Sequence, residues 1–189
     1  MRNPKRPKFV SQDPIGKIVT AACAGVSETI RENGFPFAMP AESPIEETFG
    51  TAVSAYLRYV ELGDRHLSTY PPDQLDRRCV ELAEDETHMD DWIILGSNQY
   101  HIENVRVDFI FAHKNWRTGK VFRLVVECDG HDFHERTKDQ AARDRSRDRM
   151  FQGKGYGVFR FTGSEIWRDP IGCARQVIEW LDQKSGEKP

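Results

Sequence analysis

The sequence predicts a mixed α/β domain, a sheet with helices packed on it, and three observations carry that expectation. Residues 105–112 and 121–129 are two runs with the side-chain period of two that strands require. Two other stretches, one opening at Ser43 and one near Pro170, instead repeat apolar residues at helical spacing. Between the paired runs and a further strand at 156–161 lies a polar helix, roughly 137–153. Helix, hairpin strands, helix, strand, helix is the order of a mixed sheet covered by helices.

The N-terminal region, residues 1–42, reads as a basic arm followed by a packing helix. Residues 1–12 carry no periodicity. Asp13-Pro14 offers an N-cap with proline at the first helical position. Ile15, Ile18, Val19, Ala22, Val26 and Ile30 then recur at helical spacing, and Gly34 supplies a stop. Residues 35–42, with two prolines, form a loop, so the main domain is expected over residues 43–189.

Ser43-Pro44-Ile45-Glu46 opens the clearest helix, with serine as cap and glutamate three residues on, as in a capping box. Ile45, Phe49, Ala52, Val53, Tyr56, Leu57 and Val60 form its apolar stripe. On the helical wheel Glu46 falls inside that arc and Glu47 outside it.

Residues 63–91 are ambiguous. Pro71-Pro72 breaks the chain, and Leu75, Cys79 and Leu82 suggest a short helix before an acidic loop. Residues 92–95 and 99–102 read as two short strands. In the strand at 105–112, strict alternation puts Val105, Val107, Phe109 and Phe111 on one face, with Arg106, Asp108 and Ile110 on the other. A turn through residues 115–119 leads to the strand 121–129, where Glu127 and Asp129 share a face with Val121, Arg123 and Val125. The last helix turns Ile171, Ala174, Val177, Ile178 and Leu181 inward.

Composition bounds the function. The chain has 189 residues, enough for one domain with a real core, and 30% of them are charged. It contains no apolar run of membrane-spanning length. The basic start, residues 1–8, lacks the apolar region of a secretion signal, so the protein is expected to be cytoplasmic. Four cysteines without a C-x-x-C pair argue against a structural zinc site and for free thiols. Formal net charge is −3, yet positive charge gathers in the N-terminal arm and between Arg136 and Arg149. A local basic surface of this kind can bind phosphates, although a solvated helix face explains each run equally well.

The chemistry concentrates at the end of the hairpin. If the strands fold back near Arg117-Thr118-Gly119, Asp108 lies opposite Glu127 or Asp129, according to register. Like charges facing each other destabilise a sheet, and a divalent cation is the simplest compensation. Magnesium is a hard ion that takes carboxylate and water oxygens. On the polar helix, Asp144 and Arg147 share the side marked as buried by Phe151, which suits either a structural ion pair or a phosphate contact.

Taken together, Arg106-Val-Asp-Phe109, Val125-Val-Glu-Cys-Asp-Gly130 with His131 and His134, Asp144-x-x-Arg147-x-x-x-Phe151-x-x-x-Gly155-Tyr156, and Val158-Phe-Arg-Phe161 resemble the very-short-patch-repair-like nucleases. The resemblance is closest to a related family of unknown function within the restriction-endonuclease-like PD-(D/E)XK superfamily, and it covers about residues 43–168. It implies a restriction-endonuclease-like α-β-β-β-α-β core and magnesium-dependent cleavage of nucleic-acid phosphodiesters, most readily as a DNA endonuclease or nickase, with Mn2+ as a possible substitute.

By the same resemblance, Asp108 and Glu127 match the two acidic ligands, and Asp129 stands where the superfamily usually has lysine. Glu46 matches a glutamate on the first core helix, beside its local role as a cap. His134 or His131 matches the histidine after the Asp-Gly pair. In the mechanism this implies, Asp108, Glu127 and Asp129 hold the metal and the histidine transfers protons. Lys138, Arg143, Arg145 and Arg147 are the candidate contacts to the nucleic-acid backbone. No proline precedes Asp108, and Glu127-Cys128-Asp129 lacks the lysine. Either a histidine takes over that lysine's work or the domain is an inactive module that binds nucleic acid or a protein.

Overall fold

In the computed structural model, residues 41–57, 66–86, 93–130 and 138–186 are described. The chain divides into two units, Met1–Phe35 and Pro36–Pro189, and every described residue lies in the second. The expected arm and helix of residues 1–34, together with Val60, Trp92, His131 and His134, lie outside the described residues.

Helix α1 (Pro44–Ala55) starts as its sequence dictates. Ser43 Oγ accepts from the Glu46 amide at 3.2 Å, and proline occupies the first turn. A strand, β1 (His66–Thr69), and a helix, α2 (Pro72–Glu84), occupy the segment that the sequence left ambiguous. Strands β2 (Ile93–Ile102), β3 (Val105–Lys114) and β4 (Val121–Asp129) follow, then α3 (Lys138–Gly153), β5 (Gly157–Thr162), α4 (Gly163–Arg168) and α5 (Pro170–Ser185).

The five strands run in the order β1-β2-β3-β4-β5. The central pairs β2–β3 and β3–β4 are antiparallel, and the outer pairs β1–β2 and β4–β5 are parallel. Each parallel pair is joined through a helix, α2 or α3, because parallel neighbours need a crossover. The mixed sheet flanked by helices is the restriction-endonuclease-like arrangement.

Two apolar layers enclose the sheet. On one face, Leu75, Cys79 and Leu82 of α2 and Phe151 of α3 join Leu95, Tyr100, Ile102, Val107, Ile110, Ala112 and Val125. On the other, Phe49 of α1 lies 5.2 Å from Phe109, 6.5 Å from Phe111 and 5.7 Å from Phe161, ring centre to ring centre. α5 packs against α1, burying Ala174, Val177, Ile178 and Leu181. Ile171 does not join them: in the first turn of α5 it is 36% exposed, contrary to its expected inward position.

Two further expectations are corrected. The strands expected at 92–95 and 99–102 are one strand, β2, irregular at Gln99, whose φ is 53°. Strict alternation along β3 also fails. Val107, paired with Tyr100, packs in the same layer as Ile110 and Ala112, while Phe109 and Phe111 face Phe49. The register Asn98↔Phe109 and Tyr100↔Val107 leaves Gln99 and Asp108 facing each other between those pairs. Both strands slip by one side chain at that level, because a left-handed residue cannot continue the pleat.

Candidate active site

β3 and β4 pair from Lys114↔Val121 to Phe109↔Val126, and one step further puts Asp108 opposite Glu127. The pairing opens there. Instead of meeting the opposite backbone, the Asp108 side chain accepts the Cys128 amide on Oδ2 at 2.6 Å. β5 continues beside β4 with Glu127↔Arg160 and Asp129↔Thr162, so both acids of Glu127-x-Asp129 have β5 as their neighbour.

Each acid meets a cation held on a different element. Arg147 of α3 donates from Nη2 to Glu127 Oε1 at 2.6 Å, so the inward position expected for Arg147 is an ion pair with this acid. Arg160 of β5 lies 3.8 Å from Asp129 and donates to Asp148 at 2.8 Å. Arg160 and Asp148 were not among the expected site residues. The signal for Arg160 was present, since alternation in Val158-Phe-Arg-Phe161 separates it from Phe159 and Phe161.

Glu46 reaches the same neighbourhood from α1. It is 7% exposed, whereas Glu47 is exposed, as the helical wheel indicates. Its carboxylate accepts from Ser43 Oγ at 2.7 Å, from the Glu42 amide at 3.1 Å and from Gln99 Nε2 at 2.8 Å. Glu46 therefore caps its helix and is tied to β2 at once. No residue-type motif pointed to Gln99, which sequence reasoning missed.

Burial and crowding govern the protonation of these acids. Removal from water pushes Glu127 up to about 7, with the Asp108 and Asp129 charges adding to the rise and Arg147 and Arg160 opposing it. Asp108 is also raised, chiefly by burial and then by Glu46 and Asp129, against the Cys128 hydrogen bond and Arg147. Between them the Cys128 thiol is raised by the same burial and the same carboxylates, so it stays protonated.

The donor chemistry fits a hard divalent cation: Asp108, Glu127 and Asp129 supply carboxylate oxygens, and their mutual repulsion is what a cation relieves. The ligand shell is not pre-assembled, because among the described residues no three acidic, histidine or cysteine side chains gather closely enough to chelate an ion. Arg147 and Arg160 provide the positive charge instead. On α3, Arg143 and Arg145 are exposed. The Lys138 side chain lies outside the described ones.

A five-stranded mixed sheet with acids where its central hairpin opens has the restriction-endonuclease-like fold. In agreement, residues 91–181 match the model of the restriction-endonuclease-like family REase_MTES_1575. That span holds β2, β3, β4, α3 and β5, and with them every acid of the cluster except Glu46. No curated protein and no solved structure matches the chain. No helix among the described residues is long and apolar enough to cross a membrane.

Proposed function

We propose that residues 43–189 form a divalent-metal-dependent nuclease domain that hydrolyses nucleic-acid phosphodiesters, with DNA the preferred substrate. The observation that carries this is the half-buried opening of the β3–β4 hairpin. There Asp108 and Glu127 face each other on a restriction-endonuclease-like sheet, and Glu127 is pushed up to about 7.

Asp108, Glu127 and Asp129 would hold the ion, Mg2+ or in its place Mn2+. Bound there, a divalent cation polarises the scissile phosphate and lowers the pKa of a coordinated water. The chain's own contribution is charge and position. Asp108 is oriented by the Cys128 amide, and Glu127 by Arg147, whose remaining guanidinium donors suit a phosphate oxygen. Lys138, Arg143 and Arg145, all in the sequence of α3, are the candidates to hold the backbone without reading bases. His134 or His131, on the segment between β4 and α3, is the proton carrier in place of the absent lysine.

A second reading, an inactive nuclease-fold module that binds nucleic acid or protein, is favoured by one observation: Arg147 already neutralises Glu127. The two separate on one experiment. Supercoiled, linear and single-stranded DNA and RNA are incubated with the protein in Mg2+, Mn2+ or EDTA, with folded Asp108→Ala and Glu127→Ala variants alongside. Metal-dependent cleavage by the wild type, lost in both variants, is expected. Binding without cleavage under every condition would favour the module.

A further inference from the structure

We infer that Gln99 is a positioning residue of this site, acting through Glu46, an inference that rests on the metal-dependent reading above. Three observations support it. Gln99 sits opposite Asp108, where both strands lose their alternation. Its backbone has φ 53°, a left-handed conformation uncommon for a residue with a side chain and, unlike that of Glu103 in the β2–β3 turn, set inside a strand, where such strain marks a functional constraint. Its side chain, only 6% of the residue being exposed, donates Nε2 to Glu46 Oε2 at 2.8 Å.

The direction of the amide is the informative part. Among the described residues, Oε1 of Gln99 meets no hydrogen-bond donor although it is buried. Turning the amide over would not help, since a carboxylate oxygen only accepts and would then face another acceptor. Gln99 therefore satisfies Glu46 and leaves its own oxygen unsatisfied. That orphan and the left-handed backbone both cost stability, and at Gln99 they coincide in one residue, inside a strand and opposite Asp108.

The consequence is that α1 and β2 are stapled at the level of Asp108, and the Glu46 carboxylate is fixed there with a neutral donor. An amide does this without adding a charge to a group of acids that already repel one another. Asp108 feels Glu46 directly, which places the two within electrostatic reach. Gln99 fixes Glu46; Glu46 in turn adds negative charge, or an oxygen, to the cation site.

The test is calorimetric titration of Mn2+ into the full chain and its Gln99→Gly and Gln99→Asn variants, with metal-free melting curves. Glycine and asparagine both tolerate left-handed backbone, and neither reaches Glu46 as glutamine does. The expected result is metal-free melting within about 4 °C of wild type together with Mn2+ affinity about 10–100-fold weaker. Glu46→Gln should weaken binding similarly, and the Gln99→Gly, Glu46→Gln double variant no further, because the two residues act as a unit. Wild-type affinity in both Gln99 variants, or additive losses in the double variant, overturns the inference and leaves the nuclease reading standing. If the wild type itself binds no Mn2+, both fall. Should the glycine variant fail to fold, the asparagine variant decides the question in the same way.

Discussion

Arg147 Nη2 donates to Glu127 Oε1 at 2.6 Å, so the helix after the hairpin carries the counter-charge of an acid that is only 6% exposed. A cation and a proton compete for that carboxylate, and Arg147 tips the balance against the proton. Arg147→Gln leaves burial and the Asp108 and Asp129 charges opposed by Arg160 alone among the cations that hold Glu127 down. The pH at which Mn2+ binding is half-maximal should then rise by about one unit or more. Calorimetric titrations between pH 6 and pH 9 measure this, and an unchanged midpoint would show that Arg147 has no such role.

The metal-free protein should lose stability as pH rises. Glu127 titrates near 7 in the folded chain and near its ordinary 4.5 when unfolded. Between those values the folded state holds a proton that the unfolded state has released. Stability from this group is therefore complete below about pH 4.5 and declines until about pH 7, by roughly 3 kcal/mol. Asp108, raised for the same reasons, acts in the same direction. In EDTA, melting temperatures should fall across that window, and Mg2+ should restore more at pH 8 than at pH 5.5. Asp108→Asn keeps an acceptor for the Cys128 amide and removes one charge. It should raise the metal-free melting temperature at pH 8 and abolish the increment from Mg2+.

What could be read from the sequence followed side-chain periodicity. The wheel placed Glu46 inside and Glu47 outside, and the strand pattern located β3 and β4 with Asp108 near Glu127, because those features are local and repeat regularly. Gln99 broke the same logic. A single left-handed residue leaves no compositional trace, yet it joins two expected strands into one and moves Val107 to the face of Ile110. β1 was missed for a different reason: four residues are too few to show a period. Arg160 and Asp148 come together only through the β4–β5 pairing and the crossover of α3, which are tertiary facts.

The register of β5, which flanks the acids, depends on Gly157. A Cβ there would lie 2.4 Å from Cζ2 of Trp180 and 2.9 Å from Cδ1 of Leu124, closer than real contacts allow. Leu124 is fully buried in β4 and cannot retreat without opening the core, whereas Trp180 of α5 is only partly buried, so the cost depends on how far its ring can turn. Gly157→Ala should cost about 1–3 kcal/mol, the usual range for overpacking. Urea unfolding monitored by tryptophan fluorescence measures it. A variant as stable as the wild type would mean that Trp180 has room to turn aside.

Restoring the superfamily lysine at position 129 should fail. Asp129 faces Arg160, at 3.8 Å, and Arg160 is anchored by Asp148 at 2.8 Å. Asp129→Lys would set an ammonium against a guanidinium held in place, and two like charges at such range repel by a kcal/mol or more at about the dielectric of a partly buried site. It would also remove one of the three carboxylates proposed to hold the ion. The variant should therefore bind Mn2+ more weakly and cleave more slowly than the wild type. Asp129→Lys combined with Arg160→Leu, which clears the repulsion, should recover part of the stability lost. If Asp129→Lys alone cleaves faster, the lysine's role was open to restoration and Arg160 does not stand in its way. If it cleaves more slowly while the double variant regains thermal stability, the pairing of Asp129 with Arg160 is what separates this site from the acid-x-lysine pattern.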